Sequence, residues 1–178
     1  ITSCTSLYSL EVGHNQLTSL NLPNSPNFSG IGCPDNLLTN INGLTNLSTI
    51  RTINFENNFL TSLDFSNSPL VQQVYAQNNE LTSISFNNEN NTDLIFFDVR
   101  NSNLASMDLR GISTTPTTSS GDLGFWADDN PDLVCIFVDD IEFFEEDTSN
   151  YIRIPPSAIF VNNEAECAGI NLTAFAGD

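Results

Sequence analysis

Lysine does not occur in this chain of 178 residues, and its four arginines (Arg51, Arg100, Arg110 and Arg153) face 22 aspartates and glutamates, for a formal charge of −18. Nucleic acid and anionic membrane surfaces are therefore poor partners, because holding phosphate takes clustered cations. His14 is the single histidine. With no serine or cysteine nucleophile framed beside it, and only Glu11 and Asp35 near it, an enzyme is not expected. No run approaches the roughly 18 apolar residues of a membrane-spanning helix, so direct insertion is not expected either. A secretory leader is not visible, and "ITSCTSL" opens part-way through a repeat, which predicts a piece of a longer protein.

What is present is periodic. From Leu7, apolar residues fall at offsets 0, 3, 5, 10, 13 and 15, with Asn15 at offset 8. The frame restarts at Phe28, Ile50, Val71 and Leu94, at spacings of 21 to 23 residues, and a sixth, degenerate copy starts near residue 122. Asparagine returns at Asn36, Asn58, Asn79 and Asn130, and Ser102 takes its place in the fifth copy. A period of this length predicts a solenoid, in which no unit buries its own apolar face and each stacks on the next. Cys33 falls on an inward position, so it is expected to be a small buried hydrophobe. Cys4 lies in the loop before Leu7, and both are expected to be free thiols.

The frame LxxLxLxxNxL over residues 1–133 resembles the leucine-rich repeat. The resemblance implies an α/β-type repeat solenoid, a right-handed superhelix with a parallel concave sheet of about six strands and little helix. In such a fold LxL is a strand with alternate residues inward. Asn15, Asn36, Asn58, Asn79 and Asn130 would then be scaffold, their amides satisfying backbone groups at the turn that leaves the strand. The segment after the last repeat, with Asn130, Pro131, Leu133, Cys135, Ile136, Val138, Asp139 and Asp140 in the pattern NPxLxCIxVDD, is similar to the C-terminal cap of secreted bacterial leucine-rich-repeat proteins. That similarity implies a disulfide between Cys135 and Cys167 and an oxidising, extracellular setting. The tryptophan common inside such caps is missing, and Tyr151 is the nearest aromatic candidate for its place. The expected organisation is a solenoid over 1–133, a cap over 134–167 and a linker or tail over 168–178.

Within the repeats, "LTSLNL", "LTSLDF" and "LTSISF" alternate apolar and polar residues and predict short extended segments on the returning side, whereas "LTNINGLTNLSTI" predicts a helical or 3₁₀ turn. "GISTTPTTSSGDLG", residues 111–124, predicts a surface loop that could cover Trp126. Glycosylation-type patterns at Asn27, Asn46, Asn90 and Asn171 carry no default meaning in a bacterial chain. "VDDIEFFEEDTSN" is acidic but lacks the spacing of an EF-hand loop and predicts a solvated face.

Outward positions of a parallel stack align in columns about 4.8 Å apart. Offsets 2, 4 and 6 bring Gln73, Tyr75, Gln77, Phe96, Asp98, Arg100, Trp126 and Asp128 together on the later strands, whereas the earlier strands present small or polar residues. An aromatic group ringed by charge is a candidate binding patch, although cross-strand aromatics also serve simply to stabilise sheets. Offset 7 gives a further column, His14, Asp35, Asn57, Asn78, Asn101 and Asp129. It fits solvated turn residues or oxygens that could hold water or Ca²⁺, and no other cofactor is expected. The expected function is a non-catalytic module, secreted or on a bacterial cell surface, for protein recognition or adhesion, with pairing of two such modules in the same class. Polysaccharide binding and a ligand-free spacer are the alternatives.

Overall fold

The computed structural model describes residues 4–86, 94–112, 124–145 and 151–173, and side chains as far as Gly169. The expected loop at 111–124 falls mostly outside these residues, as do Asn90 and the chain beyond Thr173. In chain order, β1 (Ser9–Glu11) is followed by β2 (Ser19–Asn21), β3 (Gly30–Gly32), β4 (Asn40–Asn42), β5 (Thr52–Asn54), β6 (Ser62–Phe65) and β7 (Gln73–Tyr75). Next come β8 (Ser83–Phe86), β9 (Phe96–Asp98), β10 (Ser106–Asp108), β11 (Gly124–Trp126) and β12 (Cys135–Phe137). The chain then forms α1 (Ile141–Glu145), β13 (Ile152–Arg153), β14 (Ile159–Val161) and α2 (Glu164–Thr173). The odd-numbered strands make one seven-stranded parallel sheet, and the even-numbered strands pair on the returning side in sets of two, two and three. The result is a parallel-strand solenoid of about six turns. Among the described residues no helix is long and apolar enough to cross a membrane.

Register follows the repeat frame. Leu10, Ile31, Ile53, Val74, Phe97 and Phe125 are paired in sequence across the long sheet. From Ile31 onward this column is buried, and Phe97 stacks on Phe125 with ring centroids 6.0 Å apart. In the first described coil Leu7, Leu10, Val12, Leu17 and Leu20 are only half-buried, packed against the coil that follows. In the second repeat the expected 3₁₀ turn is found at Leu44–Asn46, but Asn40–Asn42 before it is extended, as on the returning side of the other repeats.

The asparagines answer the main problem of so tight a coil, which is backbone buried at each corner. Asn58 Nδ2 donates to the carbonyls of Cys33, Phe55 and Glu56, and its Oδ1 accepts from Leu38 N–H at 3.0 Å. Asn36, Asn79 and Asn130 repeat the pattern, each linking its own corner to the coil before it. Asn15, in the first described coil, makes two local bonds, to the carbonyls of Val12 and Gly13, and is exposed. Ser102 is too short for the task, and its buried hydroxyl has no hydrogen-bond partner among the described residues. Ser102→Asn is therefore expected to complete the ladder to Ala76 and Leu81 and to raise stability by about 1–2 kcal/mol, read as a higher urea midpoint at unchanged slope.

The offset-7 column has a backbone origin. His14, Asp35, Asn57, Asn78, Asn101 and Asp129 all adopt positive φ, between 52° and 58°. Among residues with a Cβ, Asn, Asp and His are the types most often found in that left-handed region. Their side chains form a second, solvent-facing ladder, from Asn101 to Asn78 at 2.9 Å, Asn78 to Asn57 at 2.7 Å and Asn57 to Asp35 at 2.8 Å.

Stacking does not stop at residue 133. Cys135 opens β12, the return strand of the sixth coil, which pairs with β10, and β13 and β14 add a seventh coil to both sides. Asp140 caps α1 by accepting from Phe143 N–H. Asn163 caps α2 through Ala165 and Glu166, with Glu166 reaching back to Asn162 N–H. Two acidic residues of the VDD motif thus have structural partners, since Asp139 also accepts from Gly111 N–H at 2.6 Å. The end is closed by phenylalanine: Phe144 packs on Phe160 at 4.9 Å and edge-on to Phe143 at 5.1 Å. Tyr151, the aromatic expected there, is half-exposed beside β13 instead. Helix α2 runs into the expected tail, as far as Thr173.

Cys135 and Cys167 form the disulfide, tying α2 to β12, and Arg110 adds an ion pair from the end of β10 to Glu164 at 3.0 Å. Cys4 and Cys33 are free thiols, the first exposed and the second buried. Burial, with a smaller contribution from Glu11, pushes the Cys33 thiol up to about 12 from 9.0. A raised folded value means that stability is full below the unfolded value and is lost as pH climbs through the folded one, here between about 9 and 12. At pH 8 an alkylating reagent is expected to label Cys4 alone in the native chain and both cysteines after unfolding, which mass spectrometry resolves.

Candidate functional site

Alternation along the odd strands turns every second residue outward, and register sets the neighbours. Tyr75 lies opposite Asp98, Asp98 opposite Trp126 and Trp126 opposite Arg153, while Phe96 lies between Gln73 and Gly124. Three half-buried rings form a continuous row: Tyr75 to Phe96 at 5.0 Å, and Phe96 to Trp126 at 5.0 Å in edge contact. Gly124 makes this possible. A Cβ there would meet Phe96 Cδ2 at 2.7 Å, so any larger residue would lift Phe96 off its neighbour.

The charged groups are organised around Trp126. Arg100 grips Asp98 with two bonds, Nε to Oδ1 at 2.9 Å and Nη2 to Oδ2 at 2.6 Å, and holds its guanidinium 4.6 Å from the indole centroid. These hydrogen bonds, donated to the Asp98 carboxylate, keep Arg100 above its ordinary pKa. Arg153, on the strand at the other side, pairs with Asp128 at 2.9 Å and sits 5.3 Å from the same ring. Trp126 is thus flanked by two guanidiniums, each held by its own carboxylate, an arrangement in which cation–π attraction is worth about 0.5–1 kcal/mol or more per pair. The indole Nε1 is buried without a hydrogen-bond partner among the described residues.

Of the candidate residues, Tyr75, Phe96, Arg100, Trp126 and Asp128 come together at the surface. Asp98 does not reach it: only 1% exposed, it lies beneath Arg100 despite its outward parity. Gln77 turns its amide onto the Glu56 carboxylate, and Gln73 flanks Phe96 half-buried. Arg153 is absent from the candidate set because the long segment after Cys135 hides the frame; "YIRI" matched against "GFWA" is the signal that places it. On the earlier strands Glu11 lies across Gly32, where a Cβ would fall 1.8 Å from its Oε2.

Beside the patch, Pro155 and Pro156 prevent the seventh coil from repeating the asparagine corner. A depression of about 610 Å³ opens there, with Asp128, Asp129, Pro131 and Ser157 among its lining residues. His14 Nδ1 meets Asp35 at 3.1 Å, but its side chain is 82% exposed. Among the described residues no three His, Cys, Asp or Glu side chains are grouped to share a metal ion. No protein-family model matches the chain, and a search of curated proteins returns no match.

Proposed function

We propose that the chain is a non-catalytic recognition module of the leucine-rich-repeat kind, a right-handed solenoid of secreted or cell-surface bacterial type. It binds a protein partner, or adheres to one, through the outward face of its seven-stranded sheet. The disulfide supports an oxidising location, and the repeat frame with its asparagine ladder supports the family. The observation that carries the function is the row Tyr75, Phe96, Trp126 with Arg100 and Arg153 stacked at its end. Tyrosine, tryptophan and arginine are the residues that dominate binding energy at protein interfaces. Here they are held by strands and mutual contacts, so little ordering entropy is lost on docking.

The polar groups beside the rings favour protein over sugar at this face. Asp98 is spent on Arg100, Arg153 on Asp128 and Gln77 on Glu56, which leaves few free groups to hydrogen-bond sugar hydroxyls but a preformed apolar and cation–π surface. Replacing Tyr75 by a photoreactive benzoylphenylalanine and irradiating with extracellular protein should give discrete adducts that vanish in a Trp126→Ala background. An adduct of twice the chain mass would mean self-association of the same kind. The same probe at Thr61, on the returning side, should give none. Indistinguishable adducts from both positions, or none from Tyr75, would support the spacer reading instead.

A further inference from the structure

Each strand of the long sheet is preceded by a corner residue, and in the first three coils these are Tyr8, Ser29 and Arg51. They are stacked through Ser29 N–H to Tyr8 C=O and Arg51 N–H to Ser29 C=O, both at 2.8 Å. Tyr8 and Arg51 therefore stand two strand spacings apart, about 10 Å, and the small Ser29 between them leaves a cleft. It has a volume of about 380 Å³, with Asn27 at its rim and Pro26 and Leu70 as apolar wall. Such a volume lies within the roughly 300–1,000 Å³ range of small-molecule sites.

Its chemistry differs from the rest of the molecule. Arg100, Arg110 and Arg153 are each paired with a carboxylate. Arg51 has no such partner among the described residues, although 22 acidic residues are present in the chain. No carboxylate lines the cleft. The Tyr8 hydroxyl, the Asn27 amide and the Ser29 hydroxyl likewise make no side-chain hydrogen bond within the described structure, and Tyr8 is 68% exposed.

We infer that this cleft binds a carboxylated sugar unit, with its carboxylate on Arg51 and the C–H face of its ring on Tyr8. Guanidinium matches carboxylate in a two-bond fork. An exposed phenol ring offers a flat apolar platform, and Asn27 and Ser29 supply the donor and acceptor groups that ring hydroxyls require. A pyranose fits between the two walls, whereas a bare inorganic anion would leave Tyr8 unused. The chain's overall charge opposes approach at long range, but that field is screened beyond about 8 Å at physiological ionic strength. This cleft lies at the strand-entry corner of the first coils, away from the aromatic row, and the inference does not rest on the protein-binding role proposed for that row.

The test is calorimetric titration of the full chain with a short oligogalacturonate, followed by amide shifts in heteronuclear spectra. Saturable binding is expected, with shifts centred on Tyr8, Asn27 to Ser29 and Thr49 to Arg51. Affinity should fall about tenfold or more for the methyl-esterified oligomer and for Arg51→Gln, and should also fall for Tyr8→Ala. Both substitutions are at exposed side chains, and an unchanged melting temperature verifies the fold. Absence of saturable binding, or equal affinity for acid and ester or for wild type and Arg51→Gln, would overturn the inference. Displacement by inorganic sulfate at the same concentration as the sugar acid would reduce the cleft to a plain anion site and overturn the sugar assignment.

Discussion

Asn58→Ala is expected to remove about 3–5 kcal/mol of stability, enough to leave a marginal domain largely unfolded at 37 °C. The side chain is 5% exposed, and its loss strands Leu38 N–H in an interior that water does not reach and takes one of two asparagine donors from the carbonyls of Cys33 and Phe55, which keep those of Asn36 and Asn79. Denaturant unfolding followed by circular dichroism measures the effect. Asn15→Ala provides the internal control, because the same residue at the same offset makes only two exposed, local bonds. It should cost less than about 1 kcal/mol. Equal losses at both positions would mean that the asparagines act through local turn preference and not by satisfying neighbouring coils.

The second large effect concerns the C-terminal end. Replacing Cys135 and Cys167 together by serine releases a cross-link with a sequence separation of 32, worth about 3–4 kcal/mol by the chain-entropy argument. The loss should be local before it is global. α2 and β14 are expected to gain hydrogen exchange first, while β3, β5 and β7 keep their protection. Because β13 belongs to this coil and carries Arg153, loosening it removes one of the two guanidiniums from Trp126. A rise in acrylamide quenching of the single tryptophan, at denaturant concentrations well below the main transition, should accompany it. Uniform loss of protection along the whole solenoid would show instead that the end coil and the rest unfold as one unit.

How far the fold could be read beforehand depends on what the periodicity encodes. Inward positions at offsets 3 and 5 repeat apolar residues, so the core column from Ile31 to Phe125 and the burial of Cys33 were legible. Backbone sign is not part of hydrophobic periodicity. The positive φ of His14, Asp35, Asn57, Asn78, Asn101 and Asp129 was visible only in the residue types that share offset 7, which were also compatible with an oxygen-rich ion site. Parity placed Asp98 on the outward face correctly, but parity cannot show that Arg100, two residues on, folds back to cover it. The seventh coil was hidden for another reason. The stretch that includes α1 separates β13 from the frame, so Arg153 could not be assigned to the patch, and the aromatic closure proved to be Phe144 on Phe160 in place of Tyr151.

The proposed recognition requires the aromatic row to be a docking surface, and Trp126 reports on it directly. With a partner recovered through the Tyr75 crosslink, the quenching of Trp126 by acrylamide should fall several-fold at saturation, while neutral polysaccharides leave it unchanged. A quenching constant that the bound partner does not alter would contradict the claim and return Tyr75, Phe96 and Trp126 to the role of sheet scaffold.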